Sequence, residues 1–121
     1  MRKTELGAWG EDLAAEELER KGYRIVARNY KSRYGELDLI ARQGEILAFV
    51  EVKLRKNNTY GAAREFVTWE KQRKLRTTAS DYLARTAWAQ ELQPRFDVIE
   101  IYAPEGVGGS FRLSHIEDAF Q

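Results

Sequence analysis

The chain has no cysteine, a single histidine and two prolines among its 121 residues. Without thiols it has no disulfide framework, no thiolate metal site and no cysteine nucleophile. With His115 alone, a histidine-rich zinc site lacks its ligands. Any catalytic metal must then sit on oxygen ligands, which points to Mg2+ or Mn2+. No apolar run approaches the roughly 18 residues that a membrane helix needs. The opening MRKTELGAWGED turns acidic at once, so no secretory signal and a cytoplasmic location are expected. What is present is ordinary for a folded chain: 43% hydrophobic and 32% charged residues, enough apolar material for a core. The length fits a single domain spanning 1–121.

A net charge of +1 hides an uneven distribution. Residues 20–34 carry six basic side chains and no acidic one, and residues 53–76 carry eight basic and two acidic. Between them, residues 35–52 carry four acidic and one basic. The two ends, 1–19 and 77–121, are each acidic on balance. A pI near 8.0 is lower than a nucleic-acid binder usually shows. The local pattern nonetheless suits a phosphate-binding rim around a carboxylate centre; the alternative is a set of ordinary solvated faces.

Hydrophobic periodicity predicts alternating elements. Residues 4–21 read as a helix, capped by Thr4 and stopped by Gly22, with Leu6, Trp9, Leu13 and Leu18 on one broad face. Residues 23–28 read as a short strand. Residues 35–42 and 45–55 read as a hairpin, and 56–63 as a polar loop. Thr68 caps a second helix running to about Arg85, with Leu75, Ala79, Tyr82 and Leu83 inward. Pro94 precedes a strand RFDVIEIY, residues 104–109 form a turn, and FRLSHI is a last strand. This order predicts an α/β fold with a mixed sheet.

The hairpin carries the chemistry. A two-residue turn at Gln43-Gly44 would pair Arg42 with Glu45, Glu36 with Glu51, and Asp38 with Phe49. Alternation then gathers Leu37, Leu39, Ala41, Ile46, Ala48, Val50 and Val52 on one face, and Glu36, Asp38, Glu51 and Lys53 on the other. Three carboxylates on one face repel unless a cation lies between them. Lys53 supplies one charge and a divalent metal would supply the rest. The alternative is a surface strand on which Lys53 merely pairs Asp38 or Glu51. Against it, FVEVK reads as a mostly buried strand, where a charge needs a reason.

Other candidates surround this core. Glu11 lies beside Ala14, Ala15 and Leu18 on the inward side of the first helix. It is either a boundary salt bridge to Arg28 or Lys21, or a fourth acid of the site. Lys71 and Gln72 flank the inward stripe in the first turns of the second helix, where a helix N-terminus attracts anions. Arg73, Lys74 and Arg76 are either phosphate contacts or plainly solvated. Tyr30, Tyr34 and Tyr60 lie in or beside the basic blocks and either stack on unpaired bases or pack. His115 reads as structural, and Asp97 as a buried acid paired with Arg95 or Arg55. No phosphate loop, dinucleotide fingerprint or nucleophile elbow occurs.

Asp38 followed by Glu51-Val52-Lys53 resembles the D…(D/E)-x-K signature of restriction-endonuclease-like nucleases. The wider string from GEDLAAEELERKGYRIVARNY through GELDLIARQGEILAFVEVKLR, with EKQRKL, RFDVIEI and HIEDAF, resembles the YraN family over nearly the whole chain. The resemblance implies a restriction-endonuclease-like core, a mixed central sheet flanked by helices in the order α-β-β-β-α-β-β. It implies kinship with archaeal Holliday-junction resolvases. It also implies Glu11 as a helix acid, Asp38 and Glu51 as metal ligands with Glu36 beside them, Lys53 as the catalytic lysine, and Gln72, with Lys71, on the following helix. Two positions depart from the family pattern: Trp69 stands where Pro is usual, and Leu54 where a small residue is common.

These readings predict a nuclease that hydrolyses DNA phosphodiester bonds with Mg2+ or Mn2+, on branched DNA and as a homodimer by resemblance. Arg28, Lys31, Arg33, Arg55, Lys71 and Arg73 are the candidate phosphate contacts from the basic blocks. The alternatives are a non-catalytic nucleic-acid-binding module on the same fold, and a protein-interaction scaffold.

Overall fold

The computed structural model describes residues 4–57 and 67–120. Its elements are α1 (Glu5–Arg20), β1 (Arg24–Ser32), β2 (Gly35–Gln43), β3 (Ile46–Arg55), α2 (Trp69–Ala84), a 3-10 turn (Ala87–Glu91), β4 (Gln93–Tyr102) and β5 (Arg112–Phe120). The helix starts are set by the two expected caps. Thr4 Oγ1 accepts from the Gly7 amide at 3.0 Å, and Thr68 Oγ1 from the Lys71 amide at 3.2 Å. The strands form one five-stranded sheet in chain order; β3 and β4 are parallel, joined through α2, and the other neighbours are antiparallel. The α/β class and the order α-β-β-β-α-β-β are therefore those the sequence predicts, consistent with a nuclease-like core. No helix among the described residues is long and apolar enough to cross a membrane.

Each helix covers one face of the sheet. Ala14, Ala15 and Leu18 of α1 pack over Leu39, Ala41, Ala48, Val50, Ile99 and Ile101. Leu75, Ala79 and Tyr82 of α2 pack over Leu37, Ile40, Leu47, Phe49 and Val98. Near its turn the hairpin is thus apolar on both faces, because a helix lies on each side. Side chains such as Phe49, Leu47 and Ile99 are fully buried, each worth about 1.5–3 kcal/mol.

Several boundaries differ from the sequence reading. β1 continues to Ser32 and β5 to Phe120, and Pro94 lies inside β4. Proline is tolerated there because β4 and β5 are paired only from Phe96 onward, so its missing N–H faces no second strand. The hairpin turn is Gly44-Glu45, with Gln43 opposite Ile46, and not Gln43-Gly44. Gly44 takes the first turn position at φ +59°, a region glycine enters at little cost. The correction moves the register by two residues, which preserves the period-2 faces but changes the partners. Asp38 now comes level with Glu51 rather than Phe49, and Glu36 no longer opposes Glu51.

A second irregularity lies at the same level. Asn29 has φ +54°, in the left-handed region that asparagine tolerates better than most residues. It sits between Arg28 and Tyr30, whose partners Leu39 and Leu37 flank Asp38. Leu39 packs under α1 but Leu37 under α2, so strand alternation breaks at Asp38. Leu37 is thereby removed from the face expected for it. The β1–β2 turn beyond this break brings Gly35, at φ +154°, against α2; an added Cβ would lie 3.1 Å from Thr78 Oγ1.

Candidate active site

The site forms where β2 and β3 part. Their ladder is paired from Gln43–Ile46 to Leu39–Val50. One step further, the Val52 amide donates to Asp38 Oδ2 at 2.8 Å. A side-chain carboxylate thus takes the main-chain donor that the diverging strands leave behind.

Glu51 stands beside Asp38 and is 6% exposed. Its Oε2 lies 3.4 Å from Lys53 Nζ and 3.5 Å from Lys71 Nζ. Burial pushes the Glu51 carboxyl up to about 7; the Asp38 charge and a hydrogen bond with Asp38 add to this, while Lys71 and Lys53 pull the other way. A carboxylate can share a hydrogen bond with another only if one holds a proton, so Asp38 favours the neutral form of Glu51. Asp38, Glu51 and Lys53 are therefore brought together as expected, and Lys71 joins them. Lys71 reaches the site because Thr68 starts α2 just beyond the open end of the hairpin. The family resemblance implies Lys71 on this helix beside Gln72, and the charge pattern offers it as a phosphate contact as well.

One acid on this face was missed. Glu100 is fully buried and is the register partner of Lys53 across the parallel β3–β4 ladder. Val98 packs under α2 while Ile99 and Ile101 pack under α1, so alternation turns Glu100 toward the layer of Glu51 and Lys53. The signal was available: a charge within the apolar run DVIEI, the same reasoning that singled out Glu51 in FVEVK.

The remaining candidates are placed elsewhere. Glu36 lies opposite Lys31 in register, with a Glu36 Oε2–Lys31 Nζ distance of 3.9 Å. Because Leu37 turns under α2, its neighbour Glu36 turns away from Glu51. Glu11 is 3% exposed on α1, in the layer opposite α2. The partners first weighed for it are engaged elsewhere: Arg28 pairs Asp12 at 2.6 Å, and Lys21 Nζ lies 2.7 Å from His115 Nδ1. Gln72 Nε2 donates to the Val67 carbonyl at 2.9 Å, bracing the chain ahead of α2. Arg55 Nη1 donates to the Leu54 carbonyl at 3.3 Å. Arg33 stacks on Tyr34, and Arg73 is exposed beside it. Tyr30 packs, edge-on to Tyr82 at 5.1 Å and donating to Asp81 Oδ2 at 2.6 Å. Tyr60 and residues 58–63 of the expected loop lie outside the described residues.

A separate polar cluster holds the far end of β4. Arg95 Nε and Nη2 donate to both oxygens of the fully buried Asp97 at 2.8 Å, settling the choice between Arg95 and Arg55. Arg95 also donates to the Tyr23 hydroxyl. His115 Nε2 lies 2.8 Å from Asp97 Oδ2. Lysine has no acceptor, so His115 Nδ1 accepts from Lys21 and Nε2 carries the proton toward Asp97. Burial pushes the Asp97 carboxyl up, but hydrogen bonds from His115, Arg95 and the Asp118 amide outweigh it and hold it below the usual range.

The chain is thus an α/β protein with a paired-carboxylate and lysine cluster at the open end of its central hairpin. The model of the uncharacterised protein family UPF0102 matches residues 10–101, and the chain belongs to that family, the YraN family its motifs resemble. It is 48% identical over 115 residues to a UPF0102 protein of Rhodococcus jostii, covering 95% of each chain. It is 49% identical over 116 residues to one of Symbiobacterium thermophilum, again covering 95% of each. A UPF0102 protein of Alkaliphilus metalliredigens is 42% identical over 115 residues, covering 95% of this chain and 96% of its own.

Proposed function

We propose that this chain is a metal-dependent nuclease that hydrolyses DNA phosphodiester bonds, with branched DNA the substrate its resolvase kinship implies. The observation that carries the reading is the pairing of half-buried Asp38 with buried Glu51 at the strand opening, with Lys53 on Glu51. Among the described residues no three acidic or histidine side chains form a ready-made cage. Mg2+ does not need one: it keeps several waters and takes one or two carboxylates plus substrate phosphate. A buried carboxyl whose charged form is resisted also gains most from a divalent cation. Asp38 and Glu51 would hold the ion, which when bound supplies Lewis acidity to the phosphate and acidifies water.

The chain's own groups do the rest. Lys53, held at 3.4 Å by Glu51, orients the attacking water or meets the charge that grows on the phosphoryl oxygens. Lys71 brings a second ammonium to the first turn of α2, where the helix N-terminus already favours an anion. Glu100 lies level with Lys53 across the β3–β4 ladder, and Gln72 braces the approach to α2. Arg28, Lys31, Arg33, Arg55 and Arg73 contact flanking phosphates. A homodimer would present two such sites to paired strands.

The test is incubation with duplex, single-stranded, flap and four-way DNA in Mg2+, Mn2+ and EDTA. Metal-dependent cleavage that Asp38→Asn abolishes is expected. A second reading, a nucleic-acid-binding module without catalysis, is favoured by the two lysines that already compensate Glu51. It predicts binding of branched DNA in EDTA and no cleavage in either metal.

A further inference from the structure

Trp69 is 73% exposed, the most exposed large hydrophobic side chain among the described residues. It occupies the first position of α2, two residues before Lys71, whose ammonium touches Glu51. Nothing in the packing of α2 calls for an indole there, because the helix buries Leu75, Thr78, Ala79 and Tyr82 on its other side. The guanidinium of Arg76, two turns on, lies 5.0 Å from the Trp69 ring centroid. Tyr34, 39% exposed, carries Arg33 over its ring at 5.0 Å in the same way. Beside the Tyr34 ring, Arg73, Lys74 and Thr77 line a small cavity of about 180 Å³. Glu70 pairs with Lys74 at 4.0 Å, and the strip otherwise presents Arg73, Arg76 and Arg33.

From this arrangement we infer that Trp69 and Tyr34 form a stacking strip for unpaired nucleobases, leading along α2 into the Asp38–Glu51 opening. The inference rests on the nuclease reading and deepens it by naming the part of the substrate that must be single-stranded. Two flat rings, each backed by an arginine and alternating with cations, match a ligand that alternates flat rings with phosphates. A paired duplex hides its base faces within the stack, so only a gap, flap, fork or junction offers them. An acidic peptide would reward the cations but leave the rings without a partner.

The experiment uses the intact chain in EDTA, so that binding is read apart from cleavage. Anisotropy titrations compare a labelled oligothymidine with a blunt duplex of equal length at low salt. Trp69→Ala should weaken oligothymidine binding about ten-fold or more and leave duplex binding within two-fold. Trp69→Phe should retain most of the affinity, and Tyr34→Ala should reproduce the selective loss. Because Trp69 is exposed, the variants should melt with the wild type. Equal losses on both probes, or none on either, would overturn the strip while leaving the nuclease reading intact. No binding of either probe by the wild type would overturn the nuclease reading itself.

Discussion

Protonation of Glu51 should make the metal-free protein more stable in mild acid than at pH 8. The carboxyl is raised from 4.5 to about 7 by burial and by Asp38, so the folded state holds a proton that the unfolded state has released. The sign follows: this stabilisation is fully present below about pH 4.5 and is lost as the pH rises through about 7. Within that window the slope is one proton, or about 1.4 kcal/mol per pH unit. Between pH 5.5 and 8 the group therefore contributes about 2 kcal/mol. For a domain of this size that corresponds to a fall of about 6–10 °C in Tm. The assay is thermal unfolding in EDTA across this range, wild type against Glu51→Gln. Glutamine keeps the shape of the protonated side chain and does not titrate. The variant should already exceed the wild type at pH 5.5, and the gap should widen by about 2 kcal/mol by pH 8. Saturating Mn2+ at pH 8 should close most of the gap, because occupancy at about 100 times the Kd adds about 2.7 kcal/mol to the wild type. Parallel curves for the two proteins in EDTA would refute the reasoning, since Glu51 would then be ionised throughout and fully compensated by Lys53 and Lys71.

Asp38→Asn should remove the Mn2+-dependent rise in Tm while leaving the metal-free protein as stable or more so, because the amide oxygen still accepts from Val52 and a repelling charge is gone; differential scanning calorimetry with and without metal checks this. Asp97→Ala should cost about 3–5 kcal/mol in urea unfolding, since it strands Arg95 and His115 in a buried site. The Asp97 contribution has the opposite pH sense to that of Glu51: it is present above the ordinary aspartate range and lost as pH falls through the lowered folded value. Gly35→Ala should destabilise by about 1–3 kcal/mol in the same assay, because φ +154° is strained for alanine and its Cβ would press on Thr78.

The parts of the fold governed by local physics were legible in the sequence. Thr4 and Thr68 cap the helices they precede, and period-2 alternation kept Glu51 and Lys53 on one face even though the register was two residues off. Parity survives such a shift, whereas partner identity does not, which is why Asp38 was set opposite Phe49. The break at Asp38 was not legible, because it depends on Asn29 adopting a left-handed conformation on the neighbouring strand. Alternation read along one strand therefore carried Glu36 into the site and Leu37 out of the α2 layer. Glu100 escaped notice for a similar reason: its place beside Lys53 exists only once β4 returns parallel to β3. The reach of Lys71 likewise depends on where α2 begins relative to the opening of the hairpin.

The most direct test of the central claim is the single-turnover cleavage rate of wild type and Lys53→Ala on four-way and flap DNA in Mn2+, with metal occupancy measured on the same samples. The wild type should cleave strands in a metal-dependent manner. The rate should be at least about 100-fold lower for Lys53→Ala at equal Mn2+ occupancy, because the lysine acts on the reacting groups. A wild type that binds the DNA but stays inert, or a Lys53→Ala variant that cuts at the wild-type rate, would contradict that claim.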